Sequence, residues 1–356
     1  MPTTLLSKLD LRHPIIQAPM AGISTPLLAA AVSQAGGLGS IAIGTSTPEQ
    51  ARGAIAAVRE QTDRPFNVNV FTHAPAKADP AREAAWLDWL RPHFARFGAE
   101  PPAQLTEIYR SFLADAPMLE LLLEMRPAVL SFHFGLPPQA WIDALKQAGI
   151  VLFATATSLP EAMQIEAAGI DAIVAQGIEA GGHRGIFDPS APDPALPTFE
   201  LLEQLRDKVT LPLVAAGGIM NGQHIRTALY HGASAVQMGS AFIACPESSA
   251  PPHHRALIAQ GADLQTELSA VISGRPARGL VNKLFTEVGA AGHPPLPDYP
   301  VTYDAAKALH AAAAQAGSQE YSVNWGGVNF AQARAMPAAA LVALLATEMS
   351  DIANRS

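Results

Sequence analysis

Short runs of β-branched and aliphatic residues alternate along the chain with Ala- and Leu-rich stretches of helical spacing. Such alternation is the mark of βα units around a parallel sheet. The apolar runs predict eight strands: PIIQAPM (14–20), LGSIAIG (38–44), FNVNVF (66–71), AVLSFHFG (128–135), IVLFATAT (150–157), AIVAQG (172–177), PLVAAGGI (212–219) and AVQMGSAF (235–242). Helices are expected at 26–35, 48–61, 138–148, 160–168, 198–207 and 221–231, several opened by a Ser, Thr or Asn cap or an early proline. Eight strands with intervening helices predict an α/β fold, the (β/α)8 TIM barrel; a doubly wound open sheet is the alternative.

Two stretches break the rhythm. Residues 73–126, with Trp86, Trp89 and Leu90 among scattered charges, read as a helical insertion after the third strand, a lid or small subdomain. Residues 246–356 read mostly as loop and helix, with a last helix near 337–353, packing on the barrel and closing its pocket. Segments 1–72 and 127–245 would then form the barrel itself.

Charge and cysteine content narrow the functions. A formal charge of −8 without any Lys/Arg run speaks against a nucleic-acid partner. Cys245 is the only cysteine, which excludes a disulfide framework and thiolate metal sites and suits a reduced, cytoplasmic setting. Residues 14–48 carry no Asp, Glu, Lys or Arg between Pro14 and Pro48, but Gln17, Pro19, Pro26, Gln34 and the Gly36–Gly39 cluster divide them into pieces too short for a membrane span. The N-terminus lacks the apolar core of a signal peptide.

In a barrel the chemistry sits at the C-terminal strand ends. Here those ends hold Gln17, Ala18, Met20 and Gly22; Asn69; Ser131 and His133; Thr155 and Thr157; Gln176 and then His183; Gly217 and Gly218; Gln237, Met238, Gly239 and Ser240. Amides, hydroxyls and glycines dominate, and the two histidines are the titratable groups. Amides that both donate and accept suit a flat, polar heterocycle. Glycine-rich ends on strands 7 and 8 match the place where barrels hold a phosphate. Together they point to a mononucleotide such as FMN, although single glycines could serve tight turns and single amides buried backbone.

Other motifs fail in context. Gly37-x-Gly39-x-x-Ala42 precedes a strand instead of following one. Gly217–Gly222 has P-loop glycine spacing but Gln223 and His224 where Lys and Ser/Thr are needed. His253 and His254 are adjacent, flanked by proline and without carboxylates at ligand spacing, so no metal is expected.

With those ends in view, the chain resembles the nitronate monooxygenases, formerly 2-nitropropane dioxygenases, of class I. The resemblance runs from Pro14 to Phe242 and on to about Trp325, through QAPMAG (17–22), NVNVF (67–71), SFHFG (131–135), ATATSLPEA (154–162), QGIEAGGHRG (176–185), AAGGI (215–219) and QMGSAF (237–242). It implies a barrel binding FMN non-covalently, with contacts at Ala18, Met20, Gly22, Asn69, Gln176, Gly181, Gly182, Gly217, Gly218, Gln237, Met238, Gly239 and Ser240. It implies that His183 is the active-site base. It further implies that Tyr109, Tyr299, Tyr303 and Lys307 close the pocket over propionate 3-nitronate, with O2 as second substrate and a monomer or homodimer as the working form. For nitronates, already deprotonated, His183 would hold the anion while one electron passes to FMN, and the products would be a carbonyl compound and nitrite or nitrate. One departure stands out: where the family has a WAGQ-like segment, this chain has Trp325-Gly326-Gly327-Val328, which could alter the substrate side and leave the flavin side untouched.

Several alternatives stay open at this point. His183 could be a solvent-facing residue of a loop. His133, between Phe132 and Phe134, could line the barrel mouth as a substrate or flavin neighbour, or be a satisfied core histidine. Tyr303 and Lys307, four apart, could clamp a carboxylate or form an exposed pair. A related FMN barrel that takes hydride from NAD(P)H to reduce a quinone or enoyl thioester is the rival function.

Overall fold

The computed structural model describes residues 4–261 and 264–353. Among these, eleven strands follow in chain order: β1 (Ile15–Gln17), β2 (Gly39–Ala42), β3 (Phe66–Phe71), β4 (Val129–His133), β5 (Val151–Ala156), β6 (Ala172–Gln176), β7 (Gly182–His183), β8 (Leu213–Ala216), β9 (Ala235–Met238), β10 (Thr266–Ser269) and β11 (Ala277–Leu280). Eight pair in parallel in the order β1-β9-β8-β6-β5-β4-β3-β2. A parallel bridge from Ile16 to Leu38 joins the two ends, so the sheet closes as a (β/α)8 TIM barrel.

Side chains alternate along each strand, and this decides what the barrel mouth receives. In β4, Leu130 and Phe132 pack outward under the helices, while Val129 fills the barrel floor and Ser131 and His133 line the mouth. In β6, Ile173 and Ala175 face the helices, and Val174 and Gln176 face in. The opposite end is plugged: the N-terminal turn Leu5–Lys8 with Leu9 and Leu11 packs on Ile16, Val129, Phe153, Val174 and Val214.

The helices between strands start where their caps dictate. Thr25, Thr47, Ser158 and Asn221 accept the backbone N–H of Leu28, Gln50, Glu161 and His224. Such a cap contributes about 1 kcal/mol. Residues 73–126 divide between two cores. The helix Ala116–Met125 packs into the barrel core through Met118, Leu121 and Leu122. The helix Pro80–Ala95 joins a separate cluster, in which Trp86, Leu90 and Phe94 meet Leu284, Val301, Ala305, Leu309 and Tyr321 of the C-terminal segment. The last described helix, Ala338–Ala353, returns to the barrel and puts Ala338, Leu341, Val342 and Leu345 into its core.

Two sequence-based expectations need correction. The first, seventh and eighth barrel strands are shorter than their apolar runs predict. The pairing of β1 stops before Pro19, which has no N–H for the ladder, β8 ends at the Gly217 turn, and residues 240–243 form a helical turn after β9. The C-terminal segment, expected as mostly loop and helix, also contributes strands: β10 and β11 pair antiparallel and β11 captures β7 from the His183 loop, Ala277 opposite His183. No described helix is long and apolar enough to cross a membrane.

Candidate active site

The strand ends and the C-terminal segment enclose a cavity of about 550 Å³. Every residue read from the sequence as a flavin contact lines it, from Ala18, Met20 and Gly22 through Asn69, Gln176, Gly181, Gly182, Gly217 and Gly218 to Gln237, Met238, Gly239 and Ser240. His183, His133, Tyr109, Tyr303 and Lys307 line it as well. Tyr299 does not. It is buried behind His183, with ring centroids 5.4 Å apart, and packs on His73 and Phe134.

His183 stands in a box of four rings: Phe134 at 5.7 Å, Tyr299 at 5.4 Å, Tyr303 at 6.2 Å and Trp325 at 5.2 Å between centroids. Burial, followed by the neighbouring His133 and Arg275, lowers its pKa to about 3. The imidazole is therefore neutral at ordinary pH. The glycines around it serve close approach. A Cβ on Gly181 would lie 2.5 Å from the Gly327 nitrogen, and one on Gly185 would lie 2.5 Å from Thr155 Cγ2. Gly182 takes φ +76°, a conformation that side-chain-bearing residues rarely adopt.

The loop is held from below by the strand ends. Gln176 Nε2 donates to the His183 carbonyl at 3.0 Å, and its Oε1 accepts from Gly185 N–H at 2.8 Å. His133 is both a wall residue and a satisfied one: its Nε2 reaches the His183 carbonyl at 3.2 Å and its Nδ1 the Thr155 hydroxyl at 3.0 Å. Both residues thus support His183 with groups that the sequence suggested for a ligand. By contrast Gln237, on the wall, has no side-chain hydrogen bond among the described residues, and Asn69 spends its NH2 on Ser131, keeping its carbonyl oxygen free.

Four buried polar residues complete this scaffold and escape sequence reading; Ser273 and Arg275 do so because their partners lie about 90 residues away in the chain. Glu161 accepts Phe187 N–H at 2.8 Å and the Thr157 hydroxyl at 2.8 Å. Arg275 donates to the carbonyls of Ile186 and Phe187, and Ser273 Oγ lies 2.8 Å from His183 Nε2. Arg184, next to His183, grips the carbonyls of Gln176 and Gly177 and both oxygens of Asp193, at 2.9 and 3.1 Å. A lone arginine in a glycine loop with an aspartate nine residues on was the available signal. The Arg184 side chain is 0% exposed. Asp193→Ala, which leaves that charge buried and unpaired, is expected to destabilise the protein by about 3–5 kcal/mol. Urea denaturation measures this, and a loss under about 1 kcal/mol would put the pair among ordinary surface ion pairs.

At the mouth, Lys307 Nζ sits 4.6 Å from the Tyr109 ring centre and 5.2 Å from that of Tyr303. Burial lowers the Lys307 pKa and raises that of Tyr303 to about 12. The wall bears no Asp, Glu or Arg, so Lys307 is its only fixed charge among the described residues. His254, read from sequence only as a poor metal ligand, is buried and also lines the cavity. In Trp325–Val328, Trp325 packs on His183 and Gly327 N–H donates to Ser240 Oγ at 3.0 Å, both through residues shared with a WAGQ-like segment; the two that depart from it, Gly326 and Val328, do not line the cavity.

Comparison with known proteins agrees with this geometry. A family model described as nitronate monooxygenase matches residues 3–348. A nitronate monooxygenase of Pseudomonas aeruginosa is 55% identical over 341 residues, covering 96% of this chain and 97% of the relative. One from Paraburkholderia phytofirmans is 54% identical over 348 residues, covering 98% and 95%. Among solved structures, a nitroalkane oxidase from Streptomyces ansochromogenes superposes with a TM-score of 0.89 at 38% identity, covering 98% of this chain and 99% of that one. Matched over nearly its whole length and more than half identical to two of its members, the chain belongs to the nitronate monooxygenase family of flavin-dependent oxidoreductases.

Proposed function

We propose that the protein binds FMN and uses O2 to oxidise alkyl nitronates, propionate 3-nitronate foremost, to a carbonyl compound and nitrite or nitrate. The observation that carries this reading is the charge pattern of the cavity: among the described residues, a wall without acidic side chains, one cation at the mouth, and three histidines, His133, His183 and His254, that burial keeps neutral. An anion carrying a second negative group fits that arrangement.

The donor set fits FMN. Gln237 offers a free amide and Asn69 a free carbonyl oxygen for a heterocycle edge. Backbone N–H groups at Gly217–Gly218 and Gly239–Ser240 suit a phosphate, and the Ser240 hydroxyl, which accepts from Gly327, keeps its own hydrogen to donate. When bound, the flavin supplies electron transfer and reaction with oxygen.

This chain's residues position the substrate. Lys307 takes the carboxylate, Tyr109 and Tyr303 cover it as neutral phenols, and His183 meets the carbon next to nitrogen from inside its aromatic box. A nitronate arrives already without its proton, so the low pKa of His183 suits it better than a neutral nitroalkane, whose proton must be removed. Replacing Lys307 by methionine is expected to raise KM for propionate 3-nitronate about 10-fold or more and to leave that of an uncharged-tail alkyl nitronate nearly unchanged. A parallel rise for both would remove the carboxylate role. Function itself is tested by oxygen uptake with propionate 3-nitronate beside an anaerobic NADPH reduction trace. Fast uptake with sluggish nicotinamide reaction is expected; fast nicotinamide oxidation without nitronate turnover would move the chain to the reductase reading.

A further inference from the structure

We propose that Ser273 is a positioning residue that fixes the tautomer of His183, so that Nδ1 is the nitrogen offered to a reacting proton. Ser273 lies outside the cavity wall, in the turn before β11, and is 0% exposed. Its Oγ stands 2.8 Å from His183 Nε2 and 3.1 Å from the Arg275 carbonyl, and it accepts Arg275 N–H at 3.4 Å.

A serine hydroxyl has one hydrogen and two acceptor sites. The Arg275 carbonyl has no other donor among the described residues. With the hydroxyl hydrogen on that carbonyl, Ser273 meets His183 as an acceptor. Nε2 then carries the ring hydrogen, and Nδ1 carries the lone pair. Turning the hydroxyl toward His183 would reverse the tautomer and strand a buried carbonyl, which proteins avoid. The position of Arg275 is itself fixed, since its guanidinium holds the carbonyls of Ile186 and Phe187 and lies 4.5 Å over the Phe134 ring that packs on His183. The turn thus reads the imidazole from behind, and a neutral acceptor there orients the ring without holding a proton on Nδ1.

The inference rests on the reading of His183 as the group that meets substrate, and its deciding readout, the tautomer, is independent of turnover. In flavin-loaded protein carrying isotope-labelled histidine, NMR assigns the His183 ring nitrogens, with His183→Asn identifying the signals. Wild type is expected to show Nε2 protonated and Nδ1 bare. Ser273→Ala is expected to populate the Nδ1–H form, and Ser273→Thr, which keeps the hydroxyl, to restore the wild-type tautomer. In Ser273→Ala, kcat/KM for a neutral nitroalkane should fall at least about 10-fold relative to that for a nitronate, with the flavin spectrum unchanged. An Nδ1–H tautomer in wild type, or an unaltered one in Ser273→Ala, overturns the proposal. Should Ser273→Ala not fold, the wild-type tautomer alone decides. Failure of the base reading would show separately, as equal losses on both substrates in His183→Asn.

Discussion

His183→Asn is expected to lower kcat/KM for neutral nitroalkanes by about 10²–10⁴-fold, the range for loss of a positioned base, while nitronate oxidation falls far less. Asparagine fits the ring box and cannot accept a proton from carbon. The flavin should stay bound, because the walls assigned to it, from Ala18 to Gln237, do not depend on the imidazole. The wild-type rate with nitroalkanes should also show no acidic limb near pH 6.5. With a pKa of about 3, the imidazole of the free protein is already the basic form well below that pH. Steady-state assays with a nitroalkane and its nitronate, beside the flavin absorption spectrum, decide the matter. Equal losses on the two substrates would sink the base assignment.

The second large effect concerns stability in mild acid. Burial lowers the pKa of His73, His133 and His254 to about 4 and that of His183 to about 3. The first two and His183 also face the Arg275 guanidinium. In the unfolded chain these groups titrate near 6.5, so as pH drops the unfolded state takes up protons first. Stability is then flat above about pH 7 and falls as pH moves from about 6.5 toward 4, by up to about 1.4 kcal/mol per pH unit for each histidine. Urea midpoints at pH 7.5, 6 and 5 should decline steeply. His73→Phe tests the assignment further, since among the described residues both ring nitrogens of His73 are buried without a hydrogen-bond partner and its ring packs on Phe134 and Tyr299. That variant should show a shallower slope by about one proton. Midpoints that do not move between pH 7.5 and 5 would contradict the buried neutral state.

The barrel could be read from sequence because its strands are buried on both faces and therefore spell continuous apolar runs, as in IVLFATAT. The cavity wall could be read because period-2 alternation sends alternate residues of NVNVF and SFHFG inward at one end of the sheet. The small sheet could not. TELS and ARGL carry no apolar alternation, and β11 exists because β7 and β10 offer it partners. The polar scaffold under His183 was hidden for a similar reason: Ser273 and Arg275 lie some 90 residues from the loop they hold. The resemblance implies Tyr299 on the substrate side, yet its ring packs on His183 away from the cavity wall, because spacing along a tail does not reveal which aromatic stands in front.

The position of the helix Ala338–Ala353 has a consequence for biosynthesis. It covers the barrel where the first and last strands meet, packing on the helices Pro26–Gln34 and Gly222–Tyr230, yet Ala338 is encoded 100 residues after Met238, the end of β9. At about 5–20 residues per second, a ribosome needs roughly 5–20 s to deliver it once the last barrel strand is complete. Until that helix is made, the apolar face it covers on Pro26–Gln34 and Gly222–Tyr230 lacks this partner.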